Sequence, residues 1–324
     1  MMENQNLINK SIASDLLKFK FEKRQYDTCP VCSASIKRWR EKKVGNETYK
    51  LDICKSCGYC FVNPKPSLNF ILDYYSSFGH SHFDDISTIE APNLNSVLIQ
   101  EKNYPNSIID AQRLIKTIKS LTKNANNNKF LDVGCGYGFF SKEALSVGFD
   151  IVALELAENE REIAKEMTGL EPAACSFEEF ECVNETFQVV LMSQILEHAL
   201  DINLWISKAK ELLVKDGIIA IALPNYGSIF QKVMLENDPF ICPPSHLNFF
   251  NPQSLSRLLK KHGFKIEEIQ WVSRIPKTAY EKRLPKFAKP MLPIINSITS
   301  ASLRTVDAFH LGMIINVYGR KTHS

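Results

Sequence analysis

From residue 129 onward, apolar runs and amphipathic stretches take turns along the chain. Phe130–Val133, Asp150–Leu154, Phe187–Met192 and Ile218–Leu223 are near-continuous apolar blocks of strand length. Between them Phe139–Val147, Ala157–Met167 and Asn203–Val214 place apolar residues at helical spacing, and Pro172–Cys175 predicts one weaker strand. Solid apolar strands separated by helices belong to a parallel sheet covered on both faces, so the pattern predicts an α/β body. Ahead of it, Ile108, Ile109, Ala111, Leu114, Ile115, Ile118 and Leu121 predict an amphipathic helix over 107–121, ended by Asn124–Asn128. Behind it come a helix over Gln253–Lys261 stopped at His262-Gly263, an alternating strand Phe264–Trp271 and a last strand at Met313–Tyr318.

The front of the chain is built differently. Ile36–Arg40 and Thr48–Ile53 read as strands around the polar turn Gly45-Asn46-Glu47, and Asn63-Pro64-Lys65-Pro66 closes the unit because alternate prolines resist helix and central strand. This ribbon carries Cys29-Pro-Val-Cys32 and Cys54-Lys-Ser-Cys57, with 21 residues between the pairs. Each C-x2-C turn aims two sulfurs at one point, and a hairpin brings the two turns together into a tetrahedral zinc site. Gly58 follows where the second turn needs positive φ. Four thiolates leave no position for water, so the site is expected to be structural. Cys60 then packs as a spare, and His80 and His82 are loop histidines outside the metal. A short helix over Leu68–Tyr75 begins the connector.

Composition narrows the class. The chain has 324 residues, 44% of them apolar, with no uninterrupted apolar run of membrane-spanning length. The N-terminus lacks the compact apolar core of a secretory signal, which makes the cytoplasm the expected compartment. Net charge is +3 but uneven: Met1–Asn69 holds 13 Lys and Arg against 7 Asp and Glu, and Arg274–Ser324 holds 9 against 2. The middle is therefore acidic, as suits a body that does not grip polyanions. Arg274, Lys277, Lys282, Arg283, Lys286 and Lys289 precede the apolar stretch Met291–Ile298, with Pro285, Pro290 and Pro293 forbidding one unbroken helix. This segment, 274–311, is expected to form a lid or an association surface. Its basic-apolar mixture also suits contact with an anionic membrane surface. The oligomeric state is unassigned.

The chemistry centres on Leu131-Asp132-Val133-Gly134-Cys135-Gly136-Tyr137-Gly138, a glycine loop between the first strand and first helix of the body. Ligands of open α/β sheets bind beyond the carboxyl ends of the strands, where such a loop lets a cofactor approach the backbone. The spacing is G-x-G-x-G rather than the dinucleotide G-x-G-x-x-G, since Phe139 stands where the third glycine would fall. Asp132 is a carboxylate inside a strand end and needs hydrogen bonds there. Glu155 ends the second strand 17 residues beyond Gly138, where a carboxylate can accept both hydroxyls of a ribose.

On these residues, 129–225 resembles the class I S-adenosylmethionine-dependent methyltransferases. The resemblance implies a Rossmann-like seven-stranded sheet, with Gly312–Arg320 inserted antiparallel beside the sixth strand, and a cofactor site at Asp132, Gly134, Cys135, Gly136, Gly138 and Glu155. It places Ser176 or the Phe177 backbone by the adenine, since the usual Asp of that loop is absent and Glu178 is less securely placed. It also places Leu191–His198, including Ser193, along the cofactor and the mouth of the active site. With Pro244–Pro252 and the N-terminal cysteine segment included, the chain looks like bacterial tailoring methyltransferases that act on sugars, lipids or natural products. The organisation expected is an extension (1–24), a zinc-ribbon-like module (25–66), a helical connector (67–128) and a methyltransferase domain (129–324).

Methyl transfer needs alignment and, for a protonated acceptor, a base near neutral pKa. His246, on a loop between Pro243-Pro244 and Phe249-Phe250, and His198, at the end of the fourth strand, are the candidates. The alternatives are a packing role for His246 and a helix-capping role for the Glu197-His198 pair. Tyr226 and Asn225 are candidate acceptor contacts. The leading reading is a small-molecule methyltransferase with the acceptor atom unassigned. Two other readings stay open: an RNA methyltransferase using the hairpin Lys37, Arg38, Arg40, Lys42 and Lys43 on phosphates, though no N-P-P-Y-like motif is present, and a non-catalytic cofactor-binding scaffold.

Overall fold

A computed structural model describes residues 23–71, 92–103, 106–274 and 292–322. The stretch before residue 23, His80 and His82, and the basic segment from Lys277 to Lys289 lie outside the described residues. Along the chain run β1 (Ile36–Val44), β2 (Glu47–Cys54), β3 (Cys60–Val62), α1 (Leu94–Asn103), α2 (Asn106–Leu121), β4 (Lys129–Val133), α3 (Phe139–Ser146), β5 (Asp150–Leu154), α4 (Glu158–Thr168), β6 (Phe187–Ser193), a 3-10 turn (Leu196–His198), α5 (Ile202–Leu212), β7 (Leu213–Pro224), α6 (Ile229–Met234), β8 (Asn248–Phe249), α7 (Pro252–Lys261), β9 (Phe264–Val272), α8 (Leu292–Ala308) and β10 (Ile314–Lys321). No helix among these is long and apolar enough to cross a membrane.

The large sheet runs β5-β4-β6-β7-β10-β9. β5, β4, β6 and β7 are parallel, and β10 enters antiparallel between β7 and β9, as the resemblance implies. The expected strand at Pro172–Cys175 is reduced to one parallel bridge, Leu154↔Ala173, on the outer edge of β5. Alternate residues of the central strands feed two separate cores. Leu131, Val133, Val190, Met192, Ile219 and Ile221 face one side, while Phe130, Val189, Leu191, Ala220 and Ala222 face the other. Two cores on one sheet explain why the strands read as unbroken apolar runs.

Helix starts follow local chemistry. Asp201 caps α5 by accepting from the amides of Asn203 and Leu204, so capping there does not need His198. Asn251 and Ser254 form a capping box on α7 with Pro252 in its first turn. α5 is one residue earlier at its start and two shorter at its end than the apolar spacing predicts, because β7 begins at Leu213.

The cysteine segment does not stand apart from the body. β1, β2 and β3 form a sheet whose fourth strand, β8, comes from residues 248–249 of the body. Cys29, Val31, Cys54, Cys57, Tyr59 and Phe61 share one apolar core with α5, α7 and the large sheet. Lys65, fully buried, donates to the carbonyls of Ala199 (3.2 Å) and Leu200 (2.9 Å) and to Asn248 Oδ1 (2.7 Å). Burial lowers its pKa to about 7.

Candidate functional site

Three groups of residues carry chemistry. The first is the turn from β4 into α3. Gly134, Gly136 and Gly138 all have positive φ, at 68°, 52° and 83°. A Cβ on Gly134 would lie 2.8 Å from Ile195 Cδ1, and one on Gly138 would lie 3.2 Å from Ala164 Cα in α4. Gly138 thus lets α3 and α4 close on each other, and Gly134 lets the loop meet the turn after β6. Asp132 is 1% exposed and accepts from Ser141 Oγ at 2.6 Å. Burial pushes its carboxyl up to about 6, opposed by that hydrogen bond. Glu155 is buried, with Oε2 accepting from the Gly136 amide (2.9 Å) and Oε1 from the Ala157 amide (3.0 Å). The acid expected to face a ribose therefore sits against the glycine loop, at the carboxyl ends of the paired strands β4 and β5. Cys135 is buried in the same loop and its amide donates to the Leu154 carbonyl at 2.9 Å.

The loop expected at the adenine is more committed to packing. Ser176 Oγ donates to Glu179 Oε2 at 3.0 Å. Phe177 is buried and packs edge-on against Trp205, its ring covered by Lys208. Glu178 accepts from Trp205 Nε1 at 2.6 Å, which fixes it to α5. Ser193 is half-buried at the carboxyl end of β6.

The second group surrounds a narrow recess lined by Glu197, Asn225, Tyr226, Gln231, Asp238, Phe240, His246 and Asn248. His198 and His246 meet with ring centroids 4.9 Å apart and planes at 78°. Each ring is held from behind: His198 Nδ1 lies 2.8 Å from the Ser245 carbonyl, and His246 Nδ1 lies 2.8 Å from the Phe240 carbonyl. Glu197 is 1% exposed, and donor atoms of Glu197, His198 and His246 lie within 4.8 Å of one another. Tyr226 packs edge-on against Trp39 of β1, so the cysteine segment backs one residue of the recess lining. Burial raises its phenol well above the ordinary range. Asn225 holds backbone instead: its Nδ2 donates to the Gly312 carbonyl and its Oδ1 accepts from the Gly227 amide, both at 2.8 Å. Sequence reasoning weighs His198 and His246 separately, gives Glu197 only a helix-capping role, and passes over Gln231 and Asp238. The Glu197-His198 adjacency at a strand end was the available signal.

The third group is Cys29, Cys32, Cys54 and Cys57, whose sulfurs all lie within 4.8 Å of one another. Cys29–Cys57 and Cys32–Cys54 are separated by 3.7 and 3.5 Å. Sulfurs at the corners of a tetrahedron with ~2.3 Å metal bonds lie about 3.8 Å apart, so the donor set fits a zinc ion. The hydrogen bond from Cys29 lowers Cys57 to about 5 and raises Cys29 itself. Cys60 is buried outside this cluster. The hairpin's basic residues are largely engaged within the protein. Arg38 pairs with Asp52 (3.1 Å), Arg40 with Glu236 (3.5 Å), and Lys42 donates to the Glu236 carbonyl (2.6 Å).

Comparison with known proteins agrees with this layout. The sequence pattern of the methyltransferase-domain family matches residues 108–269, half of the chain. A ubiquinone biosynthesis O-methyltransferase of Bartonella bacilliformis is 27% identical over 43% of this chain and 60% of its own. The protein of that name in Pelagibacter ubique is 31% identical over 33% of this chain and 47% of its own. The chain thus spans about half the length of these curated relatives. A solved S-adenosylmethionine-dependent methyltransferase of Thermotoga maritima, described as a possible histamine N-methyltransferase, is 17% identical over 71% of this chain and 97% of its own, with a TM-score of 0.47. With half its length inside the family pattern, on the sheet the glycine loop implied, the chain belongs to the methyltransferase-domain family, of the class I S-adenosylmethionine-dependent type.

Proposed function

We propose that this chain transfers a methyl group from S-adenosylmethionine to a hydroxyl oxygen of a small-molecule acceptor held in the recess beside Glu197, Tyr226 and His246. The observation that carries the reading is the turn at 193–198, which belongs to both halves of the site. Ile195 lies against Gly134 of the glycine loop, and Glu197 and His246, with His198 packed on His246, border the recess. A cofactor on the loop and an acceptor in the recess would therefore be neighbours. The O-methyltransferase names of the curated relatives support oxygen as the acceptor atom.

Glu155 would hold the ribose hydroxyls, Gly134 and Gly136 the close backbone approach, Asp132 the methionine end, and Ser176 or the Phe177 backbone the adenine. When bound, S-adenosylmethionine supplies a methyl carbon already electrophilic on a sulfonium. The protein's own work is then to align the acceptor, keep water out with Tyr226, Phe240 and Phe249, and draw the hydroxyl proton toward the His198–His246 pair. The four cysteines would hold one structural zinc, whose thiolates suit the reducing cytoplasm. The engagement of Arg38, Arg40 and Lys42 with protein acids and carbonyls weighs against an RNA-gripping hairpin.

Purified protein incubated with labelled methyl donor and fractionated cell extract tests the reading. Label in a small-molecule fraction, lost in Glu155→Ala and in His246→Ala, is expected. Label in RNA, or tight cofactor binding with no transfer to any fraction, would sink it.

A further inference from the structure

We propose that Glu197, His198 and His246 bind a divalent transition-metal cation at the recess, and that the acceptor is a compound whose hydroxyl oxygen takes an open position on that cation. The first support is the state of the two rings. The carbonyl oxygens of Ser245 and Phe240 can only accept, so the Nδ1 atoms 2.8 Å from them carry protons. In the neutral rings this puts both lone pairs on Nε2. A backbone carbonyl behind Nδ1 is the common partner of a metal-ligating histidine, because it fixes tautomer and ring plane together. Here both rings have one.

The second support is convergence. The two histidines come from distant segments, a 3-10 turn after β6 and the loop before β8, yet one donor atom from each and one from the buried Glu197 carboxylate lie within 4.8 Å of one another. Donors bound to one ion at ~2.1 Å sit about 3 to 3.6 Å apart, so side-chain rotation of roughly an ångström closes the set. Two imidazoles and one carboxylate suit zinc, manganese or iron(II) and leave coordination positions open, unlike the four thiolates near the N-terminus. The open side is the recess, where Glu197 and His246 share the lining with Tyr226 and Asp238.

The chemistry follows, and this part alone rests on the methyl-transfer reading. A cation lowers the pKa of a hydroxyl it binds. The hydroxyl proton leaves to solvent, and the oxygen lone pair forms the new C–O bond as the donor's methyl C–S bond breaks, releasing S-adenosylhomocysteine. His198 and His246 then act as ligands and need not take up the proton. Without the cation, the same three residues would serve only as a hydrogen-bonded base.

The test is a titration with Co2+ alone, on protein whose four-cysteine site already holds its metal, followed by visible absorption and by metal analysis after gel filtration. One further Co2+ per chain is expected, with d–d bands but no thiolate-to-cobalt charge transfer. Binding should weaken at least about tenfold in His198→Gln and in His246→Gln. Glutamine keeps an amide donor toward the carbonyls of Ser245 and Phe240, which favours folding; if either variant fails to fold, the near-isosteric Glu197→Gln replaces it. No second Co2+, or a second Co2+ bound equally well by the variants, overturns the proposal. Methyl transfer measured on the same samples separates the two readings. Transfer that is unchanged by a chelator which strips the second ion overturns the cation's role and leaves methyl transfer standing. Co2+ binding with no transfer to any acceptor keeps the cation site and overturns the reaction.

Discussion

Asn248 ties the cysteine segment to the turn that carries Glu197 and His198, and its removal should be among the most damaging single changes outside the glycine loop. Its Nδ2 donates to the carbonyls of Leu196 (3.3 Å), Glu197 (3.1 Å) and Ala199 (2.7 Å). Its Oδ1 accepts from Lys65 Nζ (2.7 Å) and from the Tyr59 hydroxyl. All three side chains are buried, Lys65 and Tyr59 completely. Asn248→Ala takes away the acceptor of the Tyr59 hydroxyl, while the Leu196 and Glu197 carbonyls keep the Ala199 and Leu247 amides and Lys65 keeps the carbonyls of Ala199 and Leu200. One orphaned buried hydroxyl at about 1–3 kcal/mol, plus a small cavity, gives a loss of roughly 2–4 kcal/mol. Tyr59→Phe alone should cost about 1 kcal/mol, since it removes the donor rather than stranding it. In the double variant that orphan disappears, so its loss should fall short of the sum by about 1–2 kcal/mol.

Urea unfolding of zinc-loaded protein measures all three values. One cooperative transition is expected, because the cysteine segment and the sheet share a core. A loss below about 1 kcal/mol in Asn248→Ala, or additivity with Tyr59→Phe within about 0.5 kcal/mol, would refute the reasoning. So would two separate transitions in the wild-type protein.

Three further outcomes follow from the site. Glu155→Gln should weaken S-adenosylmethionine binding about tenfold or more in calorimetry, the size of a lost charge-assisted acceptor; unchanged affinity would remove this residue from the cofactor site. Asp132 has its folded pKa raised from 3.8 to about 6, so its contribution to stability is full below 3.8 and is lost as pH rises through 6. Asp132→Asn should therefore be the more stable form of the ligand-free protein at pH 7, by about 2–3 kcal/mol at most, and its thermal midpoint should lack the wild-type decline across that window. Gly138→Ala puts a side chain at φ 83° and 3.2 Å from Ala164 Cα, and should lower stability by about 1–3 kcal/mol in the same urea assay, whereas a neutral result would mean that α4 yields readily.

What could be read from the sequence divides along physical lines. Phe130–Val133, Phe187–Met192 and Ile218–Leu223 are apolar on both faces, and a sheet with a core on each side leaves that mark locally. β3 and β8 leave no such mark. They are three and two residues long, and Cys60-Phe61 finds Asn248-Phe249 only through the fold. The strand expected at Pro172–Cys175 shrinks to Ala173, whose amide donates to the Ala153 carbonyl and whose carbonyl accepts from the Glu155 amide. The placement of the glycine loop and of Glu155 was legible because it depends on backbone conformation and on position along β4 and β5. The contacts of Asn225 and Glu178 were not, because a polar residue near a strand end can bond to the protein as readily as to a ligand: Asn225 holds the Gly312 and Gly227 backbone and Glu178 the Trp205 indole.

The largest difference concerns the cysteine segment, which the sequence presents as a separate ribbon of four thiols. In the fold, Trp39 backs Tyr226 at the recess, Lys65 holds the carbonyls just beyond His198, and Tyr59 reaches Asn248, which holds Leu196 and Glu197. Tyr59 lies only two residues from Cys57, in the same apolar core as the four-sulfur cluster. A metal held by Cys54 and Cys57 would therefore also pin the start of β3, and through Tyr59 and Asn248 the turn on which Glu197 and His198 stand. The four cysteines lie outside the recess lining, yet Tyr59, two residues beyond Cys57, is hydrogen-bonded to the residue that holds the turn bordering it. Those bonds would join a metal at the four sulfurs to the turn against the glycine loop, although the two lie far apart along the chain.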